Sequence, residues 1–432
     1  MRAWLLRLSC VLVLAGGGVA LSLTLGQERV LDPPAAVPPP PPGTTGPAPV
    51  DAARPKRDLT RLPFFQRQLY LSAQRGTEWL QRANRVDGRF VNGLVPDLRK
   101  PLEGDHYLRQ AGAAFALARA ARFFADDRAA ALARQAVLTL LLDTDKDGQN
   151  AALRRTTFPS VVVSRLGAAG LLVATIHELP SPADDLLAQS EELCAYIRQQ
   201  QRPDGSLIDA DLPEGGKAAG AAESNPGYAG LALYGLLRSQ QHRPAPWKLE
   251  VARKARAYYH AAWKANKQLA MVPAHTAAYA EAYLLTKEQP FADAVAEMND
   301  WLCTLQYEQI DPRQVHWHGG FMGWADGRPA LVAPGISSAS CAEGLAEACR
   351  VARAVGDVQR HPRYRQALER GLKFLITLQY TEANAQHFAE WYRPEILGGF
   401  YASHQDGSLR IDYTQHAVCA LVQYLACVAD LP

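Results

Sequence analysis

From about residue 62 onward, apolar residues return at intervals of three and four, the period of a helix with one buried face, while the two-residue alternation of a strand is scarce. The pattern predicts twelve helices, at residues 64–82, 111–125, 128–142, 160–179, 185–200, 228–239, 247–263, 274–285, 291–305, 340–355, 364–378 and 414–429. Breaker clusters separate them, among them Pro180-Ser181-Pro182, Pro203-Asp204-Gly205, Pro244-Ala245-Pro246 and Gly356-Asp357. Polar positions divide the twelve into two kinds. The odd-numbered segments carry Arg, Lys, Glu and Gln along one face, as helices wetted on one side do. The even-numbered ones are dominated by Ala, Gly and Leu, as in Gln110-Ala111-Gly112-Ala113-Ala114 and Leu166-Gly167-Ala168-Ala169-Gly170. Small side chains let a helix be packed closely on both sides, so the alternation predicts an inner ring surrounded by an outer ring.

One short phrase closes four of the odd-numbered helices. An aromatic residue is followed by an aliphatic one and then, five positions after the aromatic, by a side-chain amide: Trp79-Leu80 with Asn84, Tyr196-Ile197 with Gln201, Trp301-Leu302 with Gln306, Phe374-Leu375 with Gln379. The tails extend the match, Asp87-Gly88-Arg89-Phe90 against Asp204-Gly205-Ser206-Leu207, and Gly-Gly-Phe recurs at Gly319-Gly320-Phe321 and Gly398-Gly399-Phe400. Repetition at this period means stacked helical hairpins, each burying its apolar face on its neighbours. In hairpin count, helix ends and Gly-Gly-Phe pairs, the chain resembles the (α/α)6 toroid superfamily of six-hairpin glycosidases, uronate lyases and epimerases, and terpenoid cyclases. Its repeats look like relaxed forms of the cyclases' Gln-Trp repeats. The resemblance covers nearly all of residues 60–432 and implies an all-α (α/α)6 toroid domain at residues 61–432, a double ring of six helical hairpins. Fold alone does not fix function.

Composition narrows the partners. The chain of 432 residues is 48% hydrophobic and 21% charged, ordinary for a globular protein with a sizeable core. Its net charge of +3 comes from 46 basic and 43 acidic residues mixed along the sequence, without the basic stripe that nucleic acid demands. Nucleic acid is therefore not an expected partner. Residues 1–26 begin with Arg2 and Arg7 and continue into an apolar stretch over 8–25, the order of an export signal or, left uncut, of an N-terminal membrane anchor. Export is expected, with the protein periplasmic, at the cell surface or secreted. Residues 27–60 form a Pro-rich linker containing the run Pro38 to Pro42, expected to be extended and unfolded. Seven cysteines, an odd number, argue against a disulfide framework, and those after Cys10 are expected as small buried hydrophobes. A monomer without a cofactor is expected. Asp143-Thr144-Asp145-Lys146-Asp147-Gly148 begins like a calcium loop but has Arg154 at the twelfth position, where Glu belongs, so a surface turn is expected. His316-Trp317-His318 lacks a third ligand nearby, and no metal is expected there.

In toroids of the resembled kind the working cleft lies where the inner helices begin, and helix starts present free N–H groups and a positive dipole end. Polar side chains gather at those positions in separate parts of the sequence: His106, Tyr107 and Arg109 at the second helix, Glu223 before the sixth, His275 and Tyr279 in the eighth, Glu343 in the tenth, and Arg410, Asp412, Tyr413 and His416 at the twelfth. Ser, Asp and Asn there are ordinary caps, and Asp412 to Gln415 has capping-box spacing. His, Tyr and Arg are poor caps, and a ring of them suits acid–base work on an anionic substrate. Two chemistries fit. Glycoside hydrolysis needs two opposed carboxyls, for which Glu223 and Asp412 are the pair, with Glu343 in reserve. A uronate lyase or epimerase needs a base, an acid and a cation: Tyr413, His416 and His275 for proton transfer, Arg109 or Arg410 for a two-pronged grip on a carboxylate. Residue type favours the second slightly. Trp391, with Trp317, Trp324 and Tyr392, lies in the long loops after the ninth and eleventh helices, where aromatics stack on sugar rings or pack on the barrel mouth. The expectation is an exported carbohydrate-active enzyme acting on a glycan or uronic-acid-containing polysaccharide as hydrolase, lyase or epimerase. Two alternatives stand beside it: a catalytically silent toroid that binds glycan or protein, and a terpenoid-cyclase-like enzyme, whose nearest acid cluster, Asp143-Thr144-Asp145-Lys146, ends in Lys.

Overall fold

A computed structural model describes residues 58–157, 164–209 and 225–429. All belong to one compact unit, Ala53–Pro432. The expected signal or anchor, the linker up to residue 57, Cys10 and Glu223 lie outside the described residues. The helices are α1 (Phe64–Ala83), α2 (Tyr107–Phe124), α3 (Asp127–Leu142), α4 (Arg165–Glu178), α5 (Asp184–Gln199), α6 (Gly227–His242), α7 (Pro246–Ala265), α8 (Val272–Thr286), α9 (Gln289–Cys303), α10 (Ser338–Val355), α11 (Arg360–Ile376), α12 (Arg393–Ile396) and α13 (Ile411–Cys427). Apart from the single turn α12, they match the twelve segments predicted from periodicity.

The Ala-rich helices α2, α4, α6, α8, α10 and α13 form the inner ring, each against the next and α13 back against α2. Around them α1, α3, α5, α7, α9 and α11 each lie on an inner neighbour. Glycines set the closest inner approach. A β-carbon at Gly235 of α6 would collide with the Gly170 carbonyl of α4, and one at Gly170 with the backbone of Ala232. Larger residues there would spread the ring.

The recurring amide is a staple between outer helices. Asn84, Gln201, Gln306 and Gln379 make isolated β-bridges to Phe90, Leu207, Phe321 and Phe400. Each side-chain amide donates to the carbonyl of the glycine two residues before its bridge partner: Gly88, Gly205, Gly319 and Gly398. Gln201, Gln306 and Gln379 donate as well to carbonyls of the following outer helix, at Val251, Ala367 and Ser72. The Gln379 bonds thereby tie α11 to α1 and close the outer ring. Gly319 and Gly398, at φ of +89° and +88°, turn flat against the backbones of Arg370 and Arg75, where a β-carbon has no room. The aromatics of the phrase are buried in this packing and present no face to a ligand. Replacing Gln379 by Leu strands the Ser72 and Gly398 carbonyls, and is expected to cost about 1–3 kcal/mol of stability. Equilibrium denaturation reads this as a lower midpoint; an unchanged midpoint would reduce the staple to decoration.

Among the described residues, eight short strands lie in the loops: β1 (Gly93–Val95), β2 (Lys100–Pro101), β3 (Thr144–Lys146), β4 (Arg154–Thr156), β5 (Gly323–Ala325), β6 (Arg328–Ala330), β7 (Tyr401–Ser403) and β8 (Asp406–Arg410). An antiparallel sheet in the order β2-β1-β8-β7 pairs Leu94 with Leu409 and Gly93 with Arg410, so the loop after α1 fixes the strand that feeds α13. The calcium-like stretch belongs to the β3–β4 hairpin, in which Asp147 accepts from the backbone of Gln149 and Asn150, and Arg154 pairs with Glu192. The six described cysteines are free, and Cys194, Cys341, Cys349 and Cys419 are buried.

Candidate functional site

Strand β8 delivers Arg410 to the start of α13, where its guanidinium grips Asp412 with two prongs, Nε lying 2.9 Å from Oδ1 and a terminal nitrogen meeting Oδ2. The same guanidinium covers the ring of Tyr413 at 4.2 Å from its centroid. Arg109, in the first turn of α2, places Nε 3.7 Å from Asp412 Oδ1 and donates to Asn92. Burial pushes the Asp412 carboxyl up, but Arg410 and then Arg109 outweigh it and hold the group below the usual carboxylate range. A carboxylate held this way is a poor proton donor.

One turn deeper, His416 Nδ1 lies 2.6 Å from Glu343 Oε1 of α10. Burial disfavours the charged ring, and the Glu343 carboxylate overrides it, so the imidazole titrates above its ordinary value. His106, at the N-cap of α2, shows the reverse: burial, then the charge of Arg109, holds it below its ordinary value. Its Nδ1 is buried with no hydrogen-bond partner among the described residues.

His106, Arg109, Glu343, Arg410, Asp412 and His416 line one cavity of about 780 Å³, within the range of small-molecule sites. Asn225, Tyr228, Gln268, Ser337, Ser340 and Gln415 add polar atoms, and Phe115, Arg119, Tyr234, Glu347 and Gln423 lie deeper, towards the far ends of the inner helices. Trp324 of β5 forms part of the wall, braced edge-on by Trp301 at 5.0 Å, which Trp263 braces in turn at 5.6 Å.

The other candidates stand elsewhere. His275, expected at the rim, is wholly buried against Tyr259 and Tyr279, with Nδ1 3.0 Å from the Met271 carbonyl, and burial drives its pKa down to about 4. Tyr279, one turn on, packs against Phe291 of α9. These two positions fall on the face of α8 turned to the outer layer; Pro273, Ala274 and Ala277 take the cavity face. Tyr107 is buried and donates to the Leu140 carbonyl of α3. Tyr413 lies under Arg410 and does not line the cavity, and Trp391 stands exposed with Arg99 over its ring.

A set of charged residues in the C-terminal halves of the inner helices escaped the sequence reading. Glu178 of α4 bridges Arg119 and Arg238 at 3.8 and 3.1 Å, Glu281 of α8 bridges Arg238 and Arg350 at 3.9 and 3.2 Å, and Glu347 accepts from Arg350 and from Gln423 of α13 at 2.6 Å each. Burial pushes the Glu347 carboxyl up. The signal was present as single charges deep inside otherwise Ala- and Leu-rich segments. The belt residues Glu178, Arg238, Glu281 and Arg350 line a second cavity of about 600 Å³, which shares Arg119, Tyr234, Glu347 and Gln423 with the first.

The double ring is the (α/α)6 toroid, as comparison with solved structures bears out. The chain is similar to cellobiose 2-epimerase from Bacillus thermoamylovorans B4167, with 10% identity, 84% of this chain and 98% of that one covered, and a TM-score of 0.62. It is similar to a D-mannose isomerase at 11% identity, covering 84% and 99%, with a TM-score of 0.58. An unsaturated glucuronyl hydrolase specific for heparin matches at 13% identity, covering 83% and 96%, with a TM-score of 0.54. At such identities the likeness shows the fold alone. No protein-family model matches the chain, and no curated protein matches it in sequence.

Proposed function

We propose that the chain is an exported carbohydrate-active enzyme that moves a proton at a carbon of a saccharide, as an epimerase, isomerase or lyase does. The observation that carries this reading is a pair of imidazoles in one cavity whose surroundings push them in opposite directions, His106 towards the neutral base and His416 towards the acid. Opposed titration of this kind marks an acid–base assignment. Arg109 and Arg410 supply positive charge where an enolate-like oxygen would develop. Asp412, claimed by both arginines, serves as their anchor and is poorly suited to be the acid of a two-carboxylate hydrolase. The names of the structural neighbours, two of which are an epimerase and an isomerase of sugars, support the same class. Export rests on the N-terminal pattern of residues 1–26.

Incubation of the purified protein with a saccharide panel in deuterated, ¹⁸O-enriched water tests the reading. Epimerisation or isomerisation leaves deuterium on a sugar carbon, whereas elimination leaves neither label but an unsaturated sugar ring, read by its ultraviolet absorbance. Incorporation of ¹⁸O at a cleaved linkage without carbon-bound deuterium would make the protein a hydrolase, and neither label without an unsaturated product would leave a binding toroid. Trp324→Ala is expected to raise KM roughly 2–12-fold, the loss of about 0.5–1.5 kcal/mol of ring stacking, with kcat little changed. An unaltered KM in steady-state kinetics would take Trp324 out of the binding surface.

A further inference from the structure

The cavity is a well. At a rise of 1.5 Å per residue, the descent from Ser338 to Glu347 on α10 and from Asp412 to Gln423 on α13 is about 14–16 Å, and Glu343 and His416 stand about 6–8 Å below the rim. Paired contacts hold the floor: Arg119 donates to the Tyr234 hydroxyl at 2.9 Å and Gln423 to Glu347 at 2.6 Å. Neither pair is a loose plug. Arg119 continues through Glu178 and Arg238 to Glu281, and Glu347 through Arg350 to the same Glu281, so the floor belongs to a belt that ties the inner helices together.

A site that works on a polymer crosswise keeps its reacting groups near the surface of a groove. Here His106 stands at the rim and His416 a turn below it inside the barrel, so the reacting carbon must enter the mouth, and every inner helix contributes to the wall, α4 through Leu171 and α6 through Tyr228 and Leu231. An internal sugar is bonded on both sides, so its descent to His416 would drag two stretches of chain down the well and strip water from their hydroxyls along the apolar parts of its wall, such as Leu171, Leu231, Ala274 and Ala277, at a cost that unpaired polar groups do not recover. A free sugar or a chain end descends alone. Building on the proton-transfer reading, we infer that the substrate is a free mono- or disaccharide or the terminal residue of a glycan, and that internal residues of a polysaccharide are not substrates.

The test uses the full-length protein and a panel of hexoses, hexuronates and N-acetylhexosamines, each as monomer, as end-labelled oligomers of increasing length, and as the same oligomers blocked at both ends. Conversion, carbon-bound deuterium and calorimetric binding are read together. The expected result is conversion and binding confined to free sugars and free ends, with a rate per end that stays constant as the chain lengthens, and no binding of blocked oligomers. Conversion inside a blocked oligomer, or affinity that climbs with each internal residue, overturns the inference and leaves proton transfer standing. Binding of free ends alone without any turnover sustains end recognition and overturns the proton-transfer reading instead.

Discussion

Replacement of His416 by Gln is expected to lower kcat by about 10²–10⁴-fold, the usual weight of a positioned general acid or base. The fold should survive, because the side chain is 42% exposed into the cavity and its one close ionic partner is Glu343. Glu343→Gln separates a proton-transfer role from a structural one. The carboxylate keeps the imidazole protonated to higher pH than usual, so its loss lets the proton leave at lower pH. The limb of the kcat/KM profile that reports His416 must then move to lower pH, whether activity rises along it because the ring is the base or falls because it is the acid. Both profiles, measured on the saccharide that the labelling panel identifies, decide the matter. A limb that stays in place in Glu343→Gln, or near-normal turnover in His416→Gln, puts the proton transfer on other groups.

The double ring was legible because it depends on patterns that survive without coordinates. Buried faces repeat at three and four, and the inner helices must be small-sided to fit between two layers, so Ala and Gly betray them. The amide phrase was legible as a repeat but not as a staple, since its partners, Val251, Ala367 and Ser72, lie on other helices. The strands were hidden because two to five residues are too few to show alternation. At the site, His106, Arg109, Arg410 and Asp412, all close to a helix start, lie within the turn that lines the cavity. His275, Tyr279 and Tyr107 went astray because a helix turns 100° per residue, and position relative to the helix start does not say which side faces the hub. Charge in an apolar segment was the better guide, as Glu343 and the belt residues below it demonstrate.

Glu281→Ala is expected to cost about 3–5 kcal/mol of unfolding free energy, the usual penalty for removing one partner from a buried ionic set. Glu281 is 2% exposed, lies between Arg238 and Arg350, and accepts a further hydrogen bond from Gln241. Its removal leaves two guanidinium groups facing each other in the barrel with half their compensation gone, and Nε of Arg238 already lacks a partner among the described residues. Desolvation makes the loss larger than any pairwise attraction, so replacing the charges together should be milder than replacing one. A triple variant, Glu281→Leu with Arg350→Met and Glu347→Gln, is expected to recover a good part of the stability lost in Glu281→Ala, because Glu347 loses its charge together with its partner Arg350 and Arg238 keeps Glu178. Denaturant unfolding followed by circular dichroism measures both. If Glu281→Ala falls within about 0.5 kcal/mol of the parent, as surface substitutions do, then solvent reaches the belt and screens it, and the floor of the well is porous. A cost of the expected size makes the belt the element that shuts the barrel's far end. In that case the same substitution should also weaken recognition of a sugar end at His416, through a floor that no longer holds its shape.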